Sequence, residues 1–434
     1  MRYNEILNEL YQRRTRGIKL GLERVLRVLD KLGNPHKSFR SIHIAGTNGK
    51  GSVSKIIYTL LRAHGFSVGL FTSPHLTRFT ERIVVNETEI SEEDVVRLVE
   101  KVRPLSDELT FFEYVTVIAF LYFKEKGVDY AVLETGMGGR LDSTNVVKPE
   151  ISIITSIGLD HQQFLGQDLA SIAKEKAGII KKSVPVVIAN QPKEAEEIII
   201  ETANNTEAPL YIYGKDFYSN LKFMSLEGLL FDFYPRNTPP HAPITDLSFS
   251  LTGLHQLENV SLALKAFIEF YPKYNENAIR EGLKKVKMPG RLEIISKKPL
   301  IILDIAHNPD GAYYLIQSLK LLTEKKPVVV FGVMKDKDVN GIIKHFDGYA
   351  EKIIFTSPEY ERALNYEELL KRLNGYSINI CSSQSPKQAF NEGLSICYQN
   401  PELFLLCTGS VYLIGEIKEF LGETAIHRKL GELL

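Results

Sequence analysis

The sequence predicts an α/β protein built from two units, and three observations predict it. Short Val- and Ile-rich runs alternate with longer amphipathic stretches. One of the first runs leads directly into a loop rich in glycine with a lysine. The alternation breaks near residue 290 and then begins again. Runs that are apolar at nearly every position read as strands buried on both faces. Their alternation with helical patterns implies βαβ units, a mostly parallel sheet and right-handed crossovers.

In the first unit the strand-like runs are 42–45, 68–72, 130–134, 151–156 and 184–189, and helical patterns cover 53–64, 92–102, 113–126 and 168–180. After about residue 205 the character changes. Aromatic, alternating runs at 210–213, 229–234 and 247–251 predict a small antiparallel patch, with an exposed loop near 235–243. Helical signal returns at 255–270 and 275–286. A second βα series, 300–303, 328–333, 352–356, 377–380 and 403–407, predicts a smaller Rossmann-like α/β unit. The expected domains are therefore 1–290, a linker at 291–299, and 300–434.

Composition narrows the function. The chain has 434 residues, 44% hydrophobic and 24% charged, with 53 basic and 53 acidic side chains. A general nucleic-acid binder needs a basic surplus to neutralise phosphates, so that partner is not expected. The three cysteines, Cys381, Cys397 and Cys407, form neither a disulfide framework nor a metal-binding spacing, and buried thiols are expected. The N-terminal stretch has no apolar core of a secretory signal, and no run approaches the 18 residues of a membrane span. A soluble, cytoplasmic protein with no membrane partner is expected.

Chemistry enters with Gly46, Thr47, Asn48, Gly49, Lys50, Gly51 and Ser52, placed between a strand and a helix. Glycines let backbone N–H groups turn toward phosphate oxygens, and the helix N-terminus adds partial positive charge. Lys50 can reach the outer phosphates, and the Ser52 hydroxyl can reach a phosphate or a magnesium ion. The loop departs from G-x-x-x-x-G-K-[ST], because Ile44 holds the first glycine position and Gly51 follows the lysine.

That departure resembles the Mur ligase superfamily, and further motifs narrow the resemblance. They are T-S-P-H-L at 72–76, R-F-T-E-R at 78–82, T-F-F-E at 110–113, L-E-T-G-M-G-G-R-L-D at 133–142 and L-D-H at 159–161. K-E-K-A-G-I follows at 174–179, then 253–259, P-G-R at 289–291, D-I-A-H-N-P at 304–309 and T-G-S at 408–410. The ordered set, from about Gly21 to Glu416, closely resembles the folylpolyglutamate synthase and dihydrofolate synthase family. The resemblance implies an ATP-dependent amide ligase that adds L-glutamate to the terminal carboxylate of a folate through an acyl phosphate. Dihydropteroate as a further acceptor is left open, and a monomer is expected.

The resemblance also implies site residues. Ser73, Glu134 and His161 match metal-ligand positions for magnesium, of which two ions are expected. Magnesium prefers oxygen donors, so His161 is the unusual member. Lys176 matches a lysine that is carbamylated in the family, whereas Lys174 points to another face and is expected to be solvated. Lys50, Lys176, His161 and His307 are the expected catalytic groups. Gly46 to Ser52, Asn259, Arg291 and Asp304 are expected at ATP, with Asn259 opening a helix. Phe112, Glu113, Leu141, Asp142 and Arg82, with His75 beside it, are expected at the folate, and Ser410 and His307 at glutamate. The run at 335–338 is expected to be a solvated loop. Closure of the two domains is expected to complete the site. A cell-wall ligase of the same superfamily is expected to carry a nucleotide-sugar domain ahead of the loop, and the 45 residues before Gly46 are too few for one. A P-loop switch module would not need the motifs of the second unit.

Overall fold

The computed structural model describes residues 3–13, 17, 19, 21–235, 242–373, 376 and 378–422. Eight strands form the first sheet. They are β1 (Arg40–Ala45), β2 (Val68–Phe71), β3 (Ile83–Val85), β4 (Thr88–Glu89), β5 (Tyr130–Glu134), β6 (Ile151–Ile154), β7 (Val186–Ile188) and β8 (Leu210–Ile212), in the order β4-β3-β2-β5-β1-β6-β7-β8. The six strands from β2 to β8 in that order pair parallel, and β3 pairs antiparallel with both β2 and β4. Strand alternation divides the core. Ile42, Ile44, Leu70 and Val132 face the helices Lys50–Ala63 and Leu254–Phe270. Phe71, Ala131 and Leu133 face the helices Glu92–Val102 and Phe111–Lys126, onto which the N-terminal helices Tyr3–Gln12 and Glu23–Lys31 pack.

A second sheet, β9 (Tyr218–Ser225), β10 (Gly228–Tyr234) and β11 (Ile244–Phe249), is an antiparallel meander. The third has β12 (Glu293–Lys297), β13 (Leu300–Leu303), β14 (Lys326–Phe331), β15 (Lys352–Phe355), β16 (Ile380–Ser382) and β17 (Leu403–Thr408), in the order β12-β13-β17-β14-β15-β16. It is parallel except for β12.

Three sequence expectations change. The run at 210–213 does not join the antiparallel patch; β8 extends the first sheet, Leu210 pairing with Val186. The patch instead takes β9, whose mixed polar and apolar residues gave no clear period. The expected linker 291–299 contains β12, an edge strand. Its sequence, E-I-I-S-K, carries only two apolar side chains, too short a run to read as a strand. The last small strand lies at Ile380–Ser382 rather than 377–380, and Ser377 is outside the described residues, as are 236–241 of the expected exposed loop. Cys397 and Cys407 are buried thiols, while Cys381 is half-buried. Among the described residues no helix is long and apolar enough to cross a membrane.

One buried charge ties the layers together. Lys265, on the helix Leu254–Phe270, is fully buried, bonds Glu269 at 2.7 Å and lies 4.1 Å from the centre of the Tyr211 ring on β8. Removing one partner of a buried pair leaves an uncompensated charge and costs about 3–5 kcal/mol. Glu269→Ala is therefore expected to lower the melting temperature more than the Lys265→Met, Glu269→Leu double variant. Thermal denaturation checks this, and the reverse order would refute the pairing.

Candidate active site

In parallel sheets the carboxyl ends of the strands carry the ligand. Here four neighbouring strands, β2, β5, β1 and β6, end at one place. Beyond them come Ser73, Glu134, the loop 46–52 and the segment leading to Asp160 and His161. The third sheet faces this edge with the ends of β13, β17 and β14. These bring Asp304 and His307, Ser410, and Met334 to Lys337. One cavity between the domains is lined by Lys50, Ser73, Glu134, His161, Lys176, Arg291, His307, Lys337 and Ser410, among others.

The loop itself is held by β6. The Thr47 and Asn48 amides both donate to the Ser156 carbonyl, at 2.9 and 3.2 Å. Those two N–H groups are thus spent on the scaffold. The helix Lys50–Ala63 makes its first internal bond from Val53 to Gly49, so the amides of 50–52 have no intrahelical acceptor. Gly49 caps this helix at φ +93°. Lys50 Nζ folds back to the Gly46 and Thr47 carbonyls, at 3.1 and 3.3 Å.

Lys176 reaches the same point from the opposite side. It is buried, and its Nζ donates to the Gly46 carbonyl at 2.7 Å. Burial, reinforced by Lys50, lowers it to about 7. Its helix, Leu169–Ala177, comes this close because Gly139 has no side chain; a Cβ there would lie 2.8 Å from the Lys176 carbonyl. Lys174 is exposed.

Glu134 is 4% exposed. Burial pushes its carboxyl up to about 7, against the pull of Lys50, the Ser73 amide and Arg291. The Ser73 amide donates to Glu134 Oε2 at 3.2 Å, and the Ser73 hydroxyl is buried with no hydrogen-bond partner among the described residues. His161 sits at φ +51°, and burial lowers it to about 4, so its ring is neutral near pH 7. Two oxygen donors, one of them an unsatisfied hydroxyl, and a neutral imidazole thus border one cavity. This set fits a hard dication with one nitrogen ligand.

In the second domain, Asp304 is buried with both oxygens engaged, Oδ2 by the Leu292 amide and Oδ1 by the Ala306 amide, each at 2.8 Å. It therefore holds the turn that carries Arg291. Burial lowers the Arg291 pKa while Asp304 and Glu134 oppose that shift, and its Nε is buried without a hydrogen-bond partner among the described residues. Ser410 caps the helix Val411–Phe420 by accepting from the Leu413 amide at 3.1 Å. Asn259 does not open its helix, which starts at Leu254 after Gly253; it lies in the second turn and bonds Gln256 at 3.1 Å. With Arg291, Asp304 and His307 it borders an adjoining pocket beside Gly49 and Ser52.

The expected folate residues are not brought to the cavity wall. Asp142 is buried, and it accepts from the Thr144 amide at 3.0 Å and the Met137 amide at 2.9 Å. It shapes the 136–142 turn. Glu113 forms a capping box with Thr110 and an ion pair with Arg24 at 2.8 Å. Arg82 is 1% exposed and donates to His75 Nδ1 at 2.9 Å. Phe112 packs on Phe71, with ring centres 5.7 Å apart, and Leu141 is half-buried beside Asp142.

Lys335, Asp336 and Asp338 of the run at 335–338 are exposed, as expected of a solvated loop, but Lys337 turns inward. Lys337 bonds Asp160 across the domains at 2.7 Å, and Asp160 Oδ2 lies 3.7 Å from His307 Nε2. Burial alone would raise the Asp160 carboxyl, but His307, His161 and Lys337 outweigh it and hold it far below the usual carboxylate range. Sequence reading passed over both partners because they are 177 residues apart. The one signal was that Asp160 and Lys337 each follow a strand end.

Gly49→Ala offers a test of the site's packing. Its Cβ would fall 2.3 Å from Asn259 Oδ1, and positive φ costs an L-residue about 1–2 kcal/mol. Affinity for a non-hydrolysable ATP analogue is expected to fall at least about tenfold by calorimetry. Unchanged affinity would separate Asn259 from the nucleotide pocket.

The chain matches the Mur ligase middle domain over residues 44–267 and the Mur ligase glutamate ligase domain over residues 290–411. It is 35% identical to a dihydrofolate synthase/folylpolyglutamate synthase of Bacillus subtilis, over 96% of this chain and 98% of the relative. A Mycobacterium tuberculosis folylpolyglutamate synthase complexed with ADP superposes with a TM-score of 0.91 at 30% identity, covering 98% of this chain and 99% of that one. Escherichia coli FolC in complex with DHPP and ADP superposes at 0.87 with 31% identity, covering 97% of this chain and 98% of that one. The chain belongs to the Mur ligases, in the family of folylpolyglutamate and dihydrofolate synthases.

Proposed function

We propose that the protein joins L-glutamate to the terminal carboxylate of a folate, using ATP. The observation that carries this reading is the interdomain cavity where Lys50, Arg291 and Lys337 meet beside the phosphate loop. Such a cluster of cations at a loop and helix N-terminus is suited to a polyanion. A carboxylate oxygen is a poor leaving group, so the acid is first phosphorylated. The glutamate amine then attacks the acyl carbon, and the tetrahedral intermediate collapses with loss of phosphate. Catalysis of this kind rests on positioning and charge neutralisation.

Each residue has a task in this scheme. The first-turn amides of 50–52 and the Lys50 ammonium take the outer phosphates. Arg291, aimed by the turn that Asp304 holds, approaches them from the second domain. His307 and Ser410 border the side from which the amine arrives. Ser73, Glu134 and His161 would hold magnesium, which when bound supplies charge neutralisation for the phosphoryl group. A carbamate on Lys176 would supply oxygens for a second ion.

Purified protein should release phosphate only when ATP, glutamate and a pteroate or folate acceptor are all present. Separate assays with dihydropteroate, dihydrofolate and tetrahydrofolate define the acceptor. Turnover of a UDP-sugar substrate with none of the folates would sink the proposal.

Lys176 gives a pH test. Only the neutral amine reacts with CO₂. With its pKa lowered to about 7, that form grows as pH rises through 7. Glu134, raised to about 7, ionises in the same interval. Activity is therefore expected to climb from about pH 6 to 8 and to respond to added bicarbonate near the lower end. Lys176→Arg keeps a cation but cannot form a carbamate, so it should be inactive, whereas Lys174→Ala should be mild. A fully active Lys176→Arg enzyme would rule the carbamate out.

A further inference from the structure

Asn308 follows β13 and starts the helix Pro309–Leu322 of the second domain. It is 4% exposed, and its amide serves two neighbours. Oδ1 accepts from the Gly311 backbone amide at 2.8 Å, which caps the helix. Nδ2 donates to Oδ1 of Asn48 in the phosphate loop at 3.0 Å, across the domain boundary.

The orientation of this pair is not free. A backbone N–H can only donate, so the cap fixes which end of the Asn308 amide is oxygen. The other end must be the NH₂ group. Asn48 must then present its own oxygen, and its NH₂ group is turned away from Asn308. Asn48 borders both the main cavity and the adjoining pocket. Among the described residues nothing accepts from that NH₂ group. The loop is already braced behind Asn48, whose backbone amide donates to Ser156. Only the side chain remains to be set.

We propose that Asn308 is a positioning residue: docked from the second domain, it turns the Asn48 NH₂ group into the cleft as a donor to a phosphate oxygen. This rests on the nucleotide reading given above. The N-terminal domain alone holds the loop but leaves the Asn48 amide able to face either way. Docking of the second domain selects the donor orientation, so domain contact and phosphate binding support each other.

The test separates orientation from scaffolding. Asn308→Ser keeps a helix cap of equal quality but is too short to reach Asn48. Its melting temperature should match the parent, while kcat/KM for ATP and affinity for a non-hydrolysable ATP analogue fall about tenfold or more, as for loss of one hydrogen bond to a charged group. Asn48→Ala should show a similar loss. In the Asn48→Ala background, Asn308→Ser should add nothing to the nucleotide defect. Should Asn308→Ser fail to fold, Asn308→Asp makes the same comparison. It retains the cap and the bridge but requires Asn48 to donate to it, which turns the NH₂ group out of the cleft. Unchanged nucleotide affinity in Asn308→Ser, no effect of Asn48→Ala, or losses that simply multiply in the double variant would each overturn the proposal. Failure of the parent enzyme to turn over folates would instead bear on the substrate reading alone.

Discussion

Two amines share one carbonyl oxygen in this protein. Lys50 and Lys176 both donate to the Gly46 carbonyl, from helices on opposite sides of the phosphate loop. Two ammonium groups cannot sit that close in a buried place without cost. Burial and Lys50 together lower Lys176 to about 7. The tension is relieved by neutralising one amine, by converting it to an anion, or by bringing a polyanion between them. Much of the site's chemistry can be read as the use of that tension.

The surrounding fold exists to hold the tension in place. The Lys176 helix approaches only because the 136–139 turn is bare at Gly139. That turn is fastened by Asp142, which makes Asp142 a structural partner of Lys176 through the chain between them. Glu134, one strand away from the loop, remains a carboxyl poised near neutrality, since burial raises it and three positive groups draw it back. The opposing domain adds charge in a controlled form. Arg291 is aimed by a turn pinned on Asp304, and Lys337 arrives already paired with Asp160. The cleft therefore holds its cations in fixed directions before any ligand enters, which is the condition for electrostatic preorganisation.

The contacts across the domain boundary combine apolar packing, Leu76 and Leu226 lying against the cores of the second domain, with polar pairs. Lys337 with Asp160 and Asn308 with Asn48 both meet within the segments that border the cavity. The Asn308–Asn48 bond makes the phosphate loop sensitive to where the second domain lies.

The two α/β units, the parallel sheets and the place of the phosphate loop were legible in the amino-acid sequence. Each of these is a local pattern: buried strands are apolar throughout, and the loop is seven consecutive residues. Strand-end positions such as Glu134 and His161 were legible for the same reason, because chain order fixes which end of a parallel strand they occupy. Edge strands such as β12 were not legible, since half-exposed backbone pairs without a continuous apolar run. The tertiary structure was needed to show that Glu113 and Asp142 accept hydrogen bonds within the fold and that Arg82 Nε bonds His75. It alone joined Asp160 to Lys337 and Asn48 to Asn308. Those pairs are 177 and 260 residues apart, and a hydrogen bond between such positions leaves no periodicity in the chain.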